Sequence, residues 1–186
     1  MSTIKYQLPK TIENCVGERL VFKEIVREAD GDKVIIEGFF KPKSGPPMHV
    51  HLKQEECITV KKGKIAYQLS NERENFASEG ETVLFERGTA HRFWNAGSGE
   101  LQLEGWVKPA NNIIFYLSAI YEAQNKSGSK QPELFDAAYL NMTYRSEFDT
   151  PSIPPLVKNV FIPLVYFIGK LTGKYKKFDG APEAVR

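Results

Sequence analysis

The sequence predicts an all-β fold, an antiparallel β-barrel over residues 10–108, followed by α-helices within residues 109–186. Two observations carry this prediction. Before about residue 110 the chain is a series of short runs rich in Val, Ile and Phe, divided by turn residues, as in an all-β sandwich or barrel. Past Pro109 the apolar residues recur at i, i+3 and i+4, the period of a helix. A length of 186 residues suits one barrel with an appendage better than two independent domains.

The strands follow in order. Leu20 to Glu28 and Lys33 to Lys41 flank Asp30-Gly31-Asp32, which supplies hairpin turn chemistry. Ile58 to Lys62, Ile65 to Ser70, Thr82 to Glu86, His91 to Asn95 and Leu101 to Val107 continue the series. In one of them Ile65, Tyr67 and Leu69 alternate with Lys64, Ala66 and Gln68, the period-two mark of a half-buried strand. Most breaks contain glycine: Gly63, Gly80, Gly88, and the pair Gly97 and Gly99. The first helix starts after Asn111, the expected N-cap, and buries Ile113, Ile114, Leu117, Ile120 and Tyr121. A second runs from Pro132 to about Arg145 and buries Leu134, Phe135, Ala138 and Met142. The third spans Pro155 to Leu171, is kinked or split by Pro163, and stops at Gly173.

Composition excludes several classes. The 25 basic and 23 acidic residues leave a net charge of +2, which gives no basic face for a nucleic acid. Two cysteines, Cys15 and Cys57, define no disulfide framework and fit a reducing compartment. Met1 to Lys10 has no apolar stretch, so the chain does not open like a secretory signal and a cytoplasmic location is expected. Lys158 and Lys170 bracket 11 residues, whereas an integral membrane span needs about 20. The C-terminal helices are expected to pack on the barrel or on a partner subunit, as in a homodimer. Lys174, Lys176 and Lys177 leave an interfacial anchor open as a second reading.

The chain has three histidines, His49, His51 and His91. In a strand, residues two apart share a face, so His49 and His51 can aim both imidazoles at one point. Glu55 and Glu56 follow four and five residues after His51, close enough for a turn to bring one of them back. Imidazole suits Fe, Zn, Ni, Cu and, less strongly, Mn, and a carboxylate adds charge and oxygen character.

These residues resemble the two motifs of the cupin superfamily, whose fold is a jelly-roll barrel. His49-Val50-His51, four residues, Glu56, six residues and Gly63 match the first motif. Gly80, Gly88, His91 and Asn95 fall in register with the second. The register to Gly63 favours Glu56 over Glu55. Glu86 stands where the family has proline, and Gly45 lies closer to His49 than the motif's leading glycine. The resemblance covers roughly residues 40–100 and implies one divalent ion (Fe, Mn, Ni or Zn) on His49, His51, Glu56 and His91. Cys57 reads as a core thiol, because it faces away from Glu56 in a strand.

The resemblance also implies a small-molecule ligand at the barrel mouth beside the ion. Phe93, on the strand face of His91 and Asn95, reads either as barrel core or, with Tyr67 and Asn95, as a substrate contact. The leading functional reading is a metal-dependent enzyme, a dioxygenase or isomerase, with Glu56 also able to move a proton. The alternative is a non-catalytic small-molecule-binding cupin. Nothing before or after the barrel reads as a DNA-binding helix-turn-helix, which favours the enzyme over a sensor.

Overall fold

The structure, a computed structural model, describes residues 6–186. Ten strands come first: β1 (Lys10–Glu13), β2 (Glu18–Val26), β3 (Lys33–Phe40), β4 (Val50–His51), β5 (Glu55–Lys62), β6 (Lys64–Leu69), β7 (Asn75–Ser78), β8 (Thr82–Phe85), β9 (His91–Asn95) and β10 (Leu101–Lys108). All pair antiparallel, six of them in the order β1-β2-β3-β10-β5-β8 and three as β7-β6-β9. Alternation sends Leu20, Phe40, Ile58 and Val60 of the larger sheet and Ile65, Ala77 and Phe93 of the smaller one into a shared core. The strands expected from sequence are all present to within a few residues. The short strands β1 and β7 carry no apolar run, and only their partners reveal them.

Three α-helices follow: α1 (Ile113–Ser127), α2 (Leu134–Thr143) and α3 (Ile162–Leu171), with strand β11 (Phe148–Asp149) between α2 and α3. Ile113, Ile114 and Ala119 of α1 and Leu140 of α2 pack with Phe22, Val34 and Val107 of the barrel, together with Tyr144 and Phe148. Helices α1 and α2 therefore share a core with the barrel strands. Among the described residues, no helix is long and apolar enough to cross a membrane.

Two local expectations change, and a third, the irregularity at Pro163, is met. Asn111 is not the cap of α1: it has φ +39°, and Asn112 takes the N-cap position without capping through its side chain. The Asn112 amide instead donates to Glu147 Oε1 at 2.6 Å and to the Glu183 carbonyl at 2.9 Å. Glu133 caps α2, accepting from the Asp136 N–H at 3.0 Å, so the helix starts two residues after Pro132. The third helix opens with a π-turn over Val157–Phe161, and the Ile162 N–H bonds back to the Val157 carbonyl. Pro163 explains the wide turn: it has no N–H, and its ring displaces the carbonyl of residue 159.

Glu147 is fully buried and joins distant parts of this layer. Besides the Asn112 amide, it accepts from the Val185 N–H at 2.9 Å and, more weakly, from the Asn112 N–H and Gln54 Nε2 at 3.4 Å. One carboxyl thus ties together the start of α1, the loop before β5 and the C-terminal tail.

Candidate metal centre and its cavity

His49 and His91 face each other across a two-way backbone bridge, each N–H donating to the other's carbonyl at 2.9 Å. Directly opposed antiparallel residues project to one side, so their rings meet at 4.4 Å between centroids. His51 lies two residues further along the same edge, and β4 is pinned there by β11, with Phe148 opposite His51. Glu56 enters from β5, held between Phe85 of β8 and Val107 of β10. Gly45 lets the preceding loop lie against β9, since a Cβ there would overlap the Phe93 carbonyl.

The structure thus brings together the four residues singled out in the sequence. One donor atom from each of His49, His51, Glu56 and His91 lies within 4.8 Å of all the others. Glu56 Oε2 is 3.2 Å from His91 Nε2, 3.4 Å from His51 Nε2 and 3.9 Å from His49 Nε2. Adjacent ligands bound about 2.1 Å from one ion lie about 3 Å apart, so this cluster could hold a metal ion after small closing movements.

The hydrogen bonds around the rings fit that role. His49 Nδ1 lies 2.8 Å from the Pro47 carbonyl and His91 Nδ1 lies 2.9 Å from the Thr89 carbonyl. A carbonyl only accepts, so both Nδ1 atoms carry the proton and both Nε2 lone pairs are free to point inward. Phe85 stacks on the His91 ring at 4.1 Å and fixes its plane. His51 differs: its buried Nδ1 has no hydrogen-bond partner among the described residues, and the edge-on Phe148 ring at 5.6 Å orients it instead. Burial lowers the His51 pKa to about 3, against the pull of Glu56, and keeps this imidazole neutral. For Glu56, burial opposes the charge, yet the His49 and His91 imidazoles beside it, with His51, outweigh burial and hold the carboxyl well below the usual range. Burial pushes the Cys57 thiol up, and Cys57 lies outside the donor cluster.

The cluster opens into a cavity of about 1060 Å³. Leu20, Ile36, Phe40, Ile58 and Leu103 supply barrel walls, and Tyr116, Leu117, Ile120 and Phe161 close it from the helical side. The periodic stripe of α1 was legible in sequence as a buried face, but nothing in its spacing showed that the face borders a void. Glu18 is a second polar group in this wall that the sequence reading missed. It is buried, and its Oε2 accepts from Tyr121 Oη at 2.8 Å and Asn14 Nδ2 at 3.1 Å. Burial and the neighbouring Glu18 hold the Tyr121 hydroxyl pKa well above its ordinary value. A lone glutamate at a strand start carries no sequence signal for such a site.

The three candidate substrate contacts separate. Phe93 lines the cavity. Tyr67 does not: it packs in the barrel core, edge-on to Phe85 at 6.1 Å. Asn95 is also outside the cavity wall, because its amide donates to the Phe40 and Gly99 carbonyls and its oxygen accepts from the Gly97 N–H, all at 2.8 Å. Its work is to hold a turn. Glu86 is exposed in the turn before Gly88 and does not reach the cluster.

Comparison with known proteins gives a family match over part of the chain. Residues 39–107 match the family model of the cupin domain. Over 95 residues the chain is 28% identical to the protein named "Probable oxidoreductase virH" of Hypocrea virens, covering 46% of this chain and 43% of that protein. Over 105 residues it is 26% identical to oxidoreductase iacF of Pestalotiopsis fici, covering 52% of each. The chain therefore spans about half the length of the curated relatives it matches. Among solved structures, a conserved protein with a double-stranded β-helix domain from Klebsiella pneumoniae aligns with a TM-score of 0.42 and 19% identity, over 58% of this chain and 84% of that one. The match to the cupin domain is confined to residues 39–107, the segment that holds the antiparallel barrel strands and the His/Glu cluster.

Proposed function

We propose that this protein is a metal-dependent cupin oxidoreductase that acts on an apolar small molecule at the barrel mouth, by dioxygenase chemistry. The observation that carries the reading is the junction of the His49–His51–Glu56–His91 cluster with a large, mainly apolar cavity. Ligand sites of this kind combine apolar walls with a few converging polar groups. The names of the two fungal relatives support an oxidoreductase.

A bound ion would supply Lewis acidity for a substrate oxygen and a place for dioxygen. The chain's own residues do the rest. Pro47 and Thr89 carbonyls orient two imidazoles, Phe93 and the α1 side chains exclude water, and Glu56 is the carboxyl positioned to accept a proton from a substrate hydroxyl. Glu18 is available to accept a hydrogen bond from a polar group at another part of the same ligand.

The test is turnover. Protein loaded separately with Fe, Mn, Ni or Zn is incubated with catechols, diketones and flavonoid-like enols, following oxygen uptake and product mass. Product with oxygen uptake supports the dioxygenase. Product without it redirects the reading to isomerase or lyase chemistry, and saturable binding with no product in any metal form replaces the enzyme with a binding module.

A further inference from the structure

Residues 150–178 contain five lysines and no Asp or Glu. Within them, Leu156, Val160, Leu164, Phe167 and Leu171 recur at helical spacing and are 73%, 56%, 53%, 58% and 73% exposed. The opposite side of the same segment is fixed: Val165 and Gly169 are buried. Any side chain at Gly169 would overlap the Tyr175 ring. The segment is thus anchored by one face and presents an unpartnered apolar ridge on the other.

Charge decides what covers that ridge. Lys158 pairs with Asp149 and Lys177 with Asp136, but Lys170, Lys174 and Lys176 pair with no carboxylate among the described residues. A second copy of this chain, docked about a two-fold axis, would bring this segment against itself and face lysine with lysine, with no acid in the segment to offset them. The ridge is also too short to cross a bilayer. An apolar ridge beside unpaired lysines has the chemistry of a helix lying in a bilayer interface, with its side chains among the acyl chains and its cations at anionic headgroups.

We propose that the Leu156–Leu171 ridge docks this protein on an anionic lipid surface. Val157, Phe161 and Val165 of the same segment line the cavity, so docking sets a cavity wall beside the lipid. The proposal is independent of the metal reading, and its test needs no turnover.

The full chain is floated with vesicles of phosphatidylcholine and phosphatidylglycerol in equal proportion, and with vesicles of phosphatidylcholine alone. Binding to the mixed vesicles is expected, weakening at high salt as the headgroup attraction is screened. Each lysine near an anionic surface strengthens binding about fivefold, so Lys170→Glu with Lys174→Glu should weaken it about 25-fold or more. Val160→Glu with Phe167→Glu, both at exposed positions, should abolish it while the thermal melt of the protein stays unchanged. Absence of wild-type protein from the floated mixed vesicles overturns the proposal. So does equal, salt-insensitive binding to both vesicle types, or a solution dimer that Phe167→Glu splits in protein that never binds vesicles, which would assign the ridge to a second copy.

Discussion

Removing the Glu147 carboxyl should damage the protein in a graded way that its hydrogen bonds predict. Oε1 accepts two short bonds, from Asn112 Nδ2 at 2.6 Å and the Val185 N–H at 2.9 Å. Oε2 accepts two long ones at 3.4 Å, from the Asn112 N–H and Gln54 Nε2. A buried donor left without a partner costs about 1–3 kcal/mol. In Glu147→Gln the new oxygen can keep both short bonds while the new NH₂ group replaces Oε2. Gln54 Oε1 has no partner, so a flip of the Gln54 amide lets it accept from that NH₂. The flip leaves Gln54 with one unpaired group as before, now its NH₂, the Asn112 N–H is orphaned in addition, and the expected loss is about 1–2 kcal/mol.

Glu147→Ala removes the acceptor of all four bonds, of whose donors only Asn112 Nδ2 keeps another partner, the Glu183 carbonyl, and opens a void. Relief of the cost of burying the carboxyl offsets part of this, leaving about 4 kcal/mol. With a urea m value of about 2 kcal/mol/M, the alanine variant should lose about 2 M in midpoint and the glutamine variant under about 1 M. Phe148, next in sequence, pairs with His51, so the alanine variant should also bind divalent metal more weakly. Urea unfolding followed by fluorescence, with a metal titration beside it, measures both. An alanine variant within about 0.5 M of wild type, or a glutamine variant as damaged as alanine, would refute this account of the network.

Other outcomes follow from the same structure. His91→Ala should weaken divalent-metal binding at least about a hundredfold by titration calorimetry, since even loss of a residue that merely orients a ligand costs 10- to 100-fold; unchanged stoichiometry and affinity would remove His91 from the ligand set. Burial gives His51 a pKa of about 3, below the ordinary value of about 6.5 in an unfolded chain. Between those values the unfolded chain binds the extra proton, so this contribution to stability is present above about pH 6.5 and is lost as pH falls toward about 3. Melting curves of the metal-free protein should show that fall, and His51→Leu should flatten it; parallel curves would contradict the burial argument. Truncation after Ala110 uncovers Phe22, Val34 and Val107 and should give an insoluble or destabilised barrel, whereas a truncated protein as soluble and stable as the full chain would show that the helices contribute little to it.

The His/Glu cluster was legible in the sequence partly because the His49–His51 pair is local and partly through the resemblance to the cupin motifs. A period of two puts His49 and His51 on one face, and the motif spacing supplied Glu56 and His91. The β-runs and the stripe of α1 were legible for the same reason, since side-chain direction follows from backbone period. Where a residue's task depends on distant partners, the sequence was silent or misleading. Asn95 fell in motif register and looked like a site residue, but its amide is committed to the Phe40 and Gly99 carbonyls. Asn111 looked like a helix cap, but Glu147, 35 residues beyond Asn112, determines how α1 begins. Glu18 and Tyr121, 103 residues apart, meet only because α1 folds across the barrel mouth. The same closure creates the cavity and leaves the Leu156–Leu171 ridge facing outward. Burial, void and exposure are properties of how the elements pack, and the periodicity of any one element carries no record of which neighbour will cover it.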